Sequence, residues 1–361
     1  MQYEPKVFMI EFSCNQPPLS DEELNLLNCG EDDYPVTLPA ISYMGPDSKD
    51  KAEYPPEAYP ASGRYTPCAV MILAPNATSM SHTGTNTYIL AEPEGETCII
   101  VDPGPNDQDH FDNIVQCCLA MMTTPVAVVL THCHADHSEG AIPLAKMLGV
   151  PLFARSLGNL PDGPLNIRDF DLDVQIVSLP GHSADLVGLL IPQDKALVTG
   201  DAIFSWGSTI IAPDGGNLTD FFASLDRLEE LVTSGAVETF LTAHGHIITD
   251  PLAQIQKFRK HRITRLKRIK ASVEELGLSF LIADGDKELD EDTTAILDFT
   301  TLNTENYSPE DFANLQKLLM ENPYIHQIYR KVYGDTDAAL EGPAKRNIQV
   351  QLQYLRQHPE F

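Results

Sequence analysis

Residues 128–140 read Val-Val-Leu-Thr-His132-Cys-His134-Ala-Asp136-His137-Ser-Glu-Gly140. An apolar run stops, and three imidazoles and a carboxylate follow within six positions, a density of metal-type donors that core packing does not demand. The stretch 126–130 is continuously apolar, the pattern of a strand buried on both faces. The stretch 138–148 has helical character, with Gly149 just past its end. The donors therefore sit where a strand gives way to a helix, and loops at strand ends are where a rigid sheet presents functional groups. His132 and His134, two apart at a strand end, point to one side. Asp136 and His137 follow on the turn and face a second point nearby. Imidazole with carboxylate suits zinc, and also iron or manganese.

Three further donors recur in the same setting, each just after an apolar run. His182 follows Val177-Ser-Leu-Pro-Gly181, Asp201 follows Ala196-Leu-Val-Thr-Gly200, and His244 follows Phe240-Leu-Thr-Ala243. A sheet whose strand ends all deliver metal-type ligands is not an accident of surface composition. Working outward, strands are predicted at 69–73, 98–101, 151–154, 174–179, 186–191, 196–199 and 238–242. Helices are predicted at 107–122, 138–148 and 218–233, the last behind Asn217 as N-cap. Strands alternate with helices but also come in consecutive groups, which predicts an α/β sandwich of mixed sheets with helices outside.

Residues 1–65 are rich in proline and acid (Asp21-Glu-Glu23, Glu31-Asp-Asp33) and are read as an irregular N-terminal extension. The catalytic domain is placed at 66–250. Beyond 250 the character turns helical, at 252–275, 308–320, 323–332 and 343–357, with an acidic stretch at 284–298, so 251–361 is read as an accessory domain. Of 361 residues, 43% are apolar and 21% charged, ordinary for a soluble globular chain. No apolar run of about 18 residues predicts a membrane span. The start lacks a basic region followed by an apolar one, so no secretory signal is expected and the expected compartment is the cytoplasm. Seven cysteines, odd in number and without CxxC spacing, are expected as reduced thiols. A net charge of −28 opposes general nucleic-acid binding, yet residues 257–270, KFRKHRITRLKRIK, hold eight of the 24 lysines and arginines.

The pattern His132-x-His134-x-Asp136-His137, a later His after Pro-Gly, an Asp after Thr-Gly and a final His before Gly resembles the metallo-β-lactamase superfamily. Gly84-Thr-Asn-Thr-Tyr88, Val101-Asp-Pro-Gly104, Pro180-Gly-His-Ser183 and Ala243-His-Gly-His246 resemble its lactamase-beta-2-like branch, over roughly residues 66–272. The resemblance implies an αββα sandwich of two mixed sheets with a C-terminal helical, winged-helix-like domain. It also implies two divalent metal ions, zinc first, with manganese or iron as alternatives. His132, His134 and His182 would hold one metal, Asp136, His137 and His244 the other, and Asp201 would bridge. Asp102 would hold a ligand in orientation. His246 departs from the pattern, standing where relatives usually carry proline, and Cys133 is expected to point away from the metals.

Two cations about 3.5–4 Å apart make a shared water largely hydroxide near neutral pH, ready to attack a carbonyl or phosphorus. Asp136 is the expected catalytic proton acceptor. Asn86 and Thr87 are expected at the edge of the site, their amide and hydroxyl meeting a substrate. An aspartate rather than a thiolate at 201, without an export signal, points away from a secreted antibiotic-hydrolysing enzyme. The expectation is a hydrolase of an ester or thioester, as in the glyoxalase II group, with a small acyl substrate. A single-strand endoribonuclease is the alternative, motivated by the basic stretch 257–270 and by 344–355, which resembles the last helix of the winged-helix-like domain of lactamase-beta-2-like proteins, some of which are endoribonucleases. A diiron redox or metal-binding module is the rival from another class.

Overall fold

A strand that buries both faces needs layers on both sides, and the apolar strands of this chain find them. The computed structural model describes residues 60, 62–78, 80–205, 207–211, 215–283, 293–294, 297, 314, 317–334 and 341–361. The extension at 1–59, most of the acidic stretch 284–298, most of the predicted helix 308–320 and Trp206 lie outside them.

One mixed sheet runs in spatial order β1 (Gly63–Thr66), β2 (Ala69–Leu73), β3 (Asn86–Leu90), β4 (Thr97–Val101), β5 (Thr124–Val129) and β6 (Leu152–Phe153). The first four pair antiparallel and the last three parallel. The second runs β11 (Thr239–Leu241), β10 (Ala196–Val198), β9 (Val187–Ile191), β8 (Gln175–Ser178) and β7 (Gly163–Pro164), parallel only between β10 and β11. Alternation along each strand sorts the side chains. Met71, Tyr88, Leu90, Ile99, Val101, Ala127 and Val129 meet Val187, Leu189, Ala196, Val198 and Leu241 in the layer between the sheets. Leu197 and Phe240, of opposite parity, face outward onto helices. The two mixed sheets with flanking helices form the predicted sandwich.

Helices α1 (Gln108–Ala120), α2 (Ala135–Ser138) and α3 (Ala141–Leu148) follow strands of the first sheet. The single helix predicted at 138–148 is instead two, because Gly140 N–H bonds to Gly104 O, 2.8 Å, rather than continuing the turn that carries Asp136 and His137. Helix α4 (Leu218–Thr233) starts as predicted, with the Asn217 side chain accepting from Asp220 N–H. Helices α5 (Pro251–Glu275), α6 (Pro323–Tyr333) and α7 (Glu341–Gln357) complete the described elements. One buried apolar cluster runs from Leu197 and Phe240 through Phe221 and Leu225 into Phe258, Ile328 and Leu352, so α5–α7 share a core with the second sheet. No strand occurs among the described residues beyond 250, so the winged-helix shape has no wing there. Among the described residues no helix is long and apolar enough to cross a membrane.

The basic stretch of α5 is not a uniformly solvated surface. Arg262 is buried, Arg259 pairs with Asp226 and Glu229, and the Arg265 guanidinium lies 4.5 Å from the centre of the Tyr333 ring. Lys257, Lys260, Lys267 and Arg268 are the cations that face fully outward.

Candidate metal centre

Five segments carry the metal-type donors, four of them directly after a strand and one in the short helix that follows β5. His132 and His134 follow β5, Asp136 and His137 lie in α2, His182 follows β8, Asp201 follows β10 in a short 3-10 turn (Gly200–Ala202), and His244 follows β11. The structure brings all seven predicted ligands together in two groups. His132, His134, His182 and Asp201 form one, and Asp136, His137 and His244 the other, with the ligand atoms of each within 4.8 Å of one another.

The hydrogen bonds behind the rings fix which nitrogen faces inward. His182 Nδ1–H donates to Ile210 O at 2.6 Å, and His244 Nδ1–H donates to Gly84 O at 3.0 Å. A carbonyl only accepts, so in both rings Nε2 carries the lone pair when the imidazole is neutral. Asp102 settles two more. Its carboxylate accepts from Thr131 N–H at 2.8 Å and Thr131 Oγ1–H at 2.6 Å, and from His137 Nδ1–H at 2.9 Å. The Thr131 hydroxyl, its proton committed to Asp102, accepts from His132 Nδ1–H at 3.1 Å. Asp102 therefore orients one imidazole in each group, a wider role than the single ligand expected of it. It does so from a left-handed backbone, φ 50°, that a non-glycine residue adopts only where its surroundings demand it.

The donor set fits metal ions. His132 Nε2 and His182 Nε2, both lone-pair ends, lie 3.1 and 2.7 Å from His134 Nδ1. Buried His137 Nε2, His244 Nε2 and Asp201 Oδ1 have no hydrogen-bond partner, although they converge to 3.3–3.5 Å. Orphaned buried polar atoms are costly, and six imidazole and carboxylate donors aimed at two points are what divalent cations satisfy.

Electrostatics divides the groups. Burial, then the neighbouring imidazoles, holds His132 well below the ordinary histidine range and brings His134 down to about 3. Burial also pushes against charge on His137, but the carboxylates of Asp136, Asp201 and Asp102 overcome it and hold its proton well above the usual range. His244 is raised by Asp201 and Asp136 against the same burial. Burial would raise Asp136 and Asp201; the facing His137 and His244 instead hold both below the usual carboxylate range. Without metal at neutral pH, the first group is neutral at His132 and His134 and the second holds a proton at His137. Metal uptake must displace that proton, so affinity in the second group falls as pH falls. Calorimetric zinc titrations at pH 7 in buffers of different ionisation enthalpy should show at least about one proton released per protein, His137 supplying one and the metal-bound water of lowered pKa adding to it; uptake with no proton release would refute this charge pattern.

Asn86 and Thr87 are placed behind the site rather than on its rim, 1% and 0% exposed. Asn86 Nδ2 donates to Thr242 O and Gly245 O, and Thr87 Oγ1 donates to Asp102 O. They brace the loops that carry His244 and Asp102 and have no surface to offer a substrate. Cys133 Sγ lies 2.8 Å from Ser156 Oγ, away from the ligands, and the five described cysteines are free thiols. Phe204 and Phe221 are core residues.

Other residues at the site were not singled out individually in the sequence. The His82 ring packs edge-on to Phe204 at 5.4 Å and lies 6.2 Å from the His244 ring. Asn76 Nδ2 and Thr85 Oγ1 donate to Asp136 O, fixing the turn of α2. Thr209 Oγ1 lies 3.0 Å from His182 Nδ1. Thr85 lies inside the Gly84 motif and His82 two residues before it, the positional signals that could have found them.

No family profile matches the chain. Among curated proteins it is similar to the atrochrysone carboxyl ACP thioesterase of Passalora fulva, 28% identical over 287 residues, 76% of this chain and 78% of that protein. It is also similar to the lactamase-like protein vrtG of Penicillium aethiopicum, 30% identical over 219 residues, 59% of this chain and 68% of that protein. Among solved structures, a metallo-β-lactamase family protein of Thermus thermophilus superposes with a TM-score of 0.55 at 16% identity, over 81% of this chain and 94% of that one, a likeness of fold.

Proposed function

The chain belongs to the metallo-β-lactamase superfamily, and on that premise we propose that it is a binuclear metallohydrolase that cleaves an acyl thioester. The observation that carries the reading is the convergence of seven imidazole and carboxylate donors on two points, with His137 Nε2, His244 Nε2 and Asp201 Oδ1 buried and without hydrogen-bond partners. A relative named as an ACP thioesterase supports the thioester over other acyl bonds.

His132, His134 and His182 would hold one divalent ion, zinc first, and Asp136, His137 and His244 the other, with Asp201 between them. When bound, the ions supply a water of lowered pKa and polarise the acyl carbonyl. The protein's own part is orientation and proton handling. Asp102, directly at His137 and through Thr131 at His132, holds one imidazole of each group in a single tautomer, and the Ile210 and Gly84 carbonyls do the same for His182 and His244. Asp136, with 30% of its side chain exposed against 9% for Asp201, is the carboxylate open to the mouth. It is suited to take a proton from the attacking water and return it to the departing thiolate.

The endoribonuclease alternative draws on the outward cations of α5. One assay decides between them: a carrier-protein-bound acyl thioester, a coenzyme A thioester and single-stranded RNA, each with zinc and with manganese. Thiol release that a chelator stops and added metal restores is the expected result. RNA cleavage without thiol release, by a preparation holding two metal equivalents, would refute the thioesterase reading.

A further inference from the structure

Arg262 of α5 is 3% exposed, and among the described residues no carboxylate pairs with it. Its guanidinium carbon sits 5.1 Å from the centre of the Phe221 ring, Nη2 donates to Thr209 O, and Nε has no hydrogen-bond partner. Burial brings this guanidinium down to about 10. A buried arginine without an anion is a costly way to fill apolar space, since a methionine would fill it without a charge to desolvate. What the arginine adds is a planar donor that fixes one carbonyl.

That carbonyl belongs to the segment between Asp201 and α4, and α5 holds the same segment again one helical stretch away. Gln254, eight residues earlier and therefore about 12 Å along the axis, donates through Nε2 to the carbonyls of Phe204 and Ser205. Described residues of the same stretch also meet the imidazoles. Thr209 Oγ1 and Ile210 O lie 3.0 and 2.6 Å from His182 Nδ1, and the Phe204 ring lies 5.4 Å from the His244 ring.

We propose that α5 clamps the chain at Phe204–Ser205 and at Thr209 and that Arg262 is a positioning residue, setting the ring of His182 through Thr209 and Ile210 and so tuning one of the two metal groups from outside the sandwich. The inference rests on the metal reading above. The link is directional: Arg262 touches the strap that holds His182 of the first group, whereas His137 of the second is oriented by Asp102 and has no contact with it.

The test is a Zn2+ titration of metal-free protein against a chromophoric chelator, which resolves the two binding steps. In Arg262→Met one step weakens by about 10- to 100-fold, the loss typical of removing support behind a metal ligand, while the other stays within about threefold. Thr209→Val, which deletes the hydroxyl at His182 Nδ1, weakens the same step, and the double variant goes no lower than the more affected single one. Arg262→Lys recovers part of the loss. Unchanged affinity in folded Arg262→Met, or a loss shared equally by both steps, overturns the clamp and leaves Arg262 as packing. Where Arg262→Met does not fold, Arg262→Lys and Thr209→Val decide, a loss confined to one step supporting the clamp and two unchanged steps overturning it. Wild-type protein that takes up no Zn2+ overturns the metal reading itself, and the clamp with it; wild type with two ions beside an unaffected variant overturns the clamp alone.

Discussion

Asp201→Asn is expected to lower thioester turnover by about 10²–10³-fold, the size of effect found when one preorganised group facing developing charge is removed, and to leave the protein folded. Asp201 is the donor that addresses both groups. Its Oδ1 lies 3.3 Å from His137 Nε2 and 3.5 Å from His244 Nε2, while Oδ2 lies 3.4 Å from His182 Nε2. Asparagine keeps the volume but turns one of those oxygens into an NH2 that donates, so whichever way the amide lies it presents a proton to one group of lone pairs. It also removes the negative charge that opposes two cations' mutual repulsion. Metal analysis should therefore fall from about two equivalents towards one, with circular dichroism unchanged. Full turnover by the variant, or two retained equivalents, would show that Asp201 is not the shared ligand.

Asp201 also illustrates why the site was readable in the sequence. Each of the seven donors closely follows an apolar run, and in a layered sheet such positions are delivered to a common edge, so position nominated residues as distant as His132 and His244, while the resemblance divided them between two metals. The mixed sheets were legible because strand burial leaves continuous apolar runs that local reading detects, whereas the superfamily resemblance rested on the donor motif and the short motifs around it. The residues behind the ligands left no such trace. Thr209 meets Arg262 from 53 positions away and His182 meets Ile210 from 28 away, contacts made by chain crossings and not by any local pattern. The same blindness misplaced Asn86 and Thr87. An Asn-Thr pair inside a motif reads equally as a substrate contact or as an internal brace, and only the positions of Thr242, Gly245 and Asp102 decide for the brace. Charge counting likewise saw eight cations in residues 257–270 but could not see that Arg262 faces inward.

Gly181→Ala is expected to cost about 4 kcal/mol of stability and roughly 10 °C of thermal midpoint. Two penalties add at this position. Its φ of 131° is a conformation that side chains other than hydrogen rarely adopt. A Cβ there would also lie 2.4 and 2.5 Å from the Phe221 Cα and N, atoms of helix α4 that cannot swing aside as a flexible side chain would. The Pro-Gly-His turn passes this close because Gly181 O accepts from Asn217 N–H at 3.0 Å, and Asn217 caps the same helix. Gly158→Ala supplies the comparison: its φ is 71°, but nothing lies within 4 Å of the added carbon, so only the left-handed strain of about 1–2 kcal/mol applies. Because His182 follows Gly181 directly, the displaced turn should also carry that imidazole away from His134, and the first metal group should lose affinity together with stability. A Gly181→Ala protein no less stable than Gly158→Ala, measured in parallel thermal scans of metal-free samples, would mean that α4 does not press on the turn and that His182 is held by other contacts.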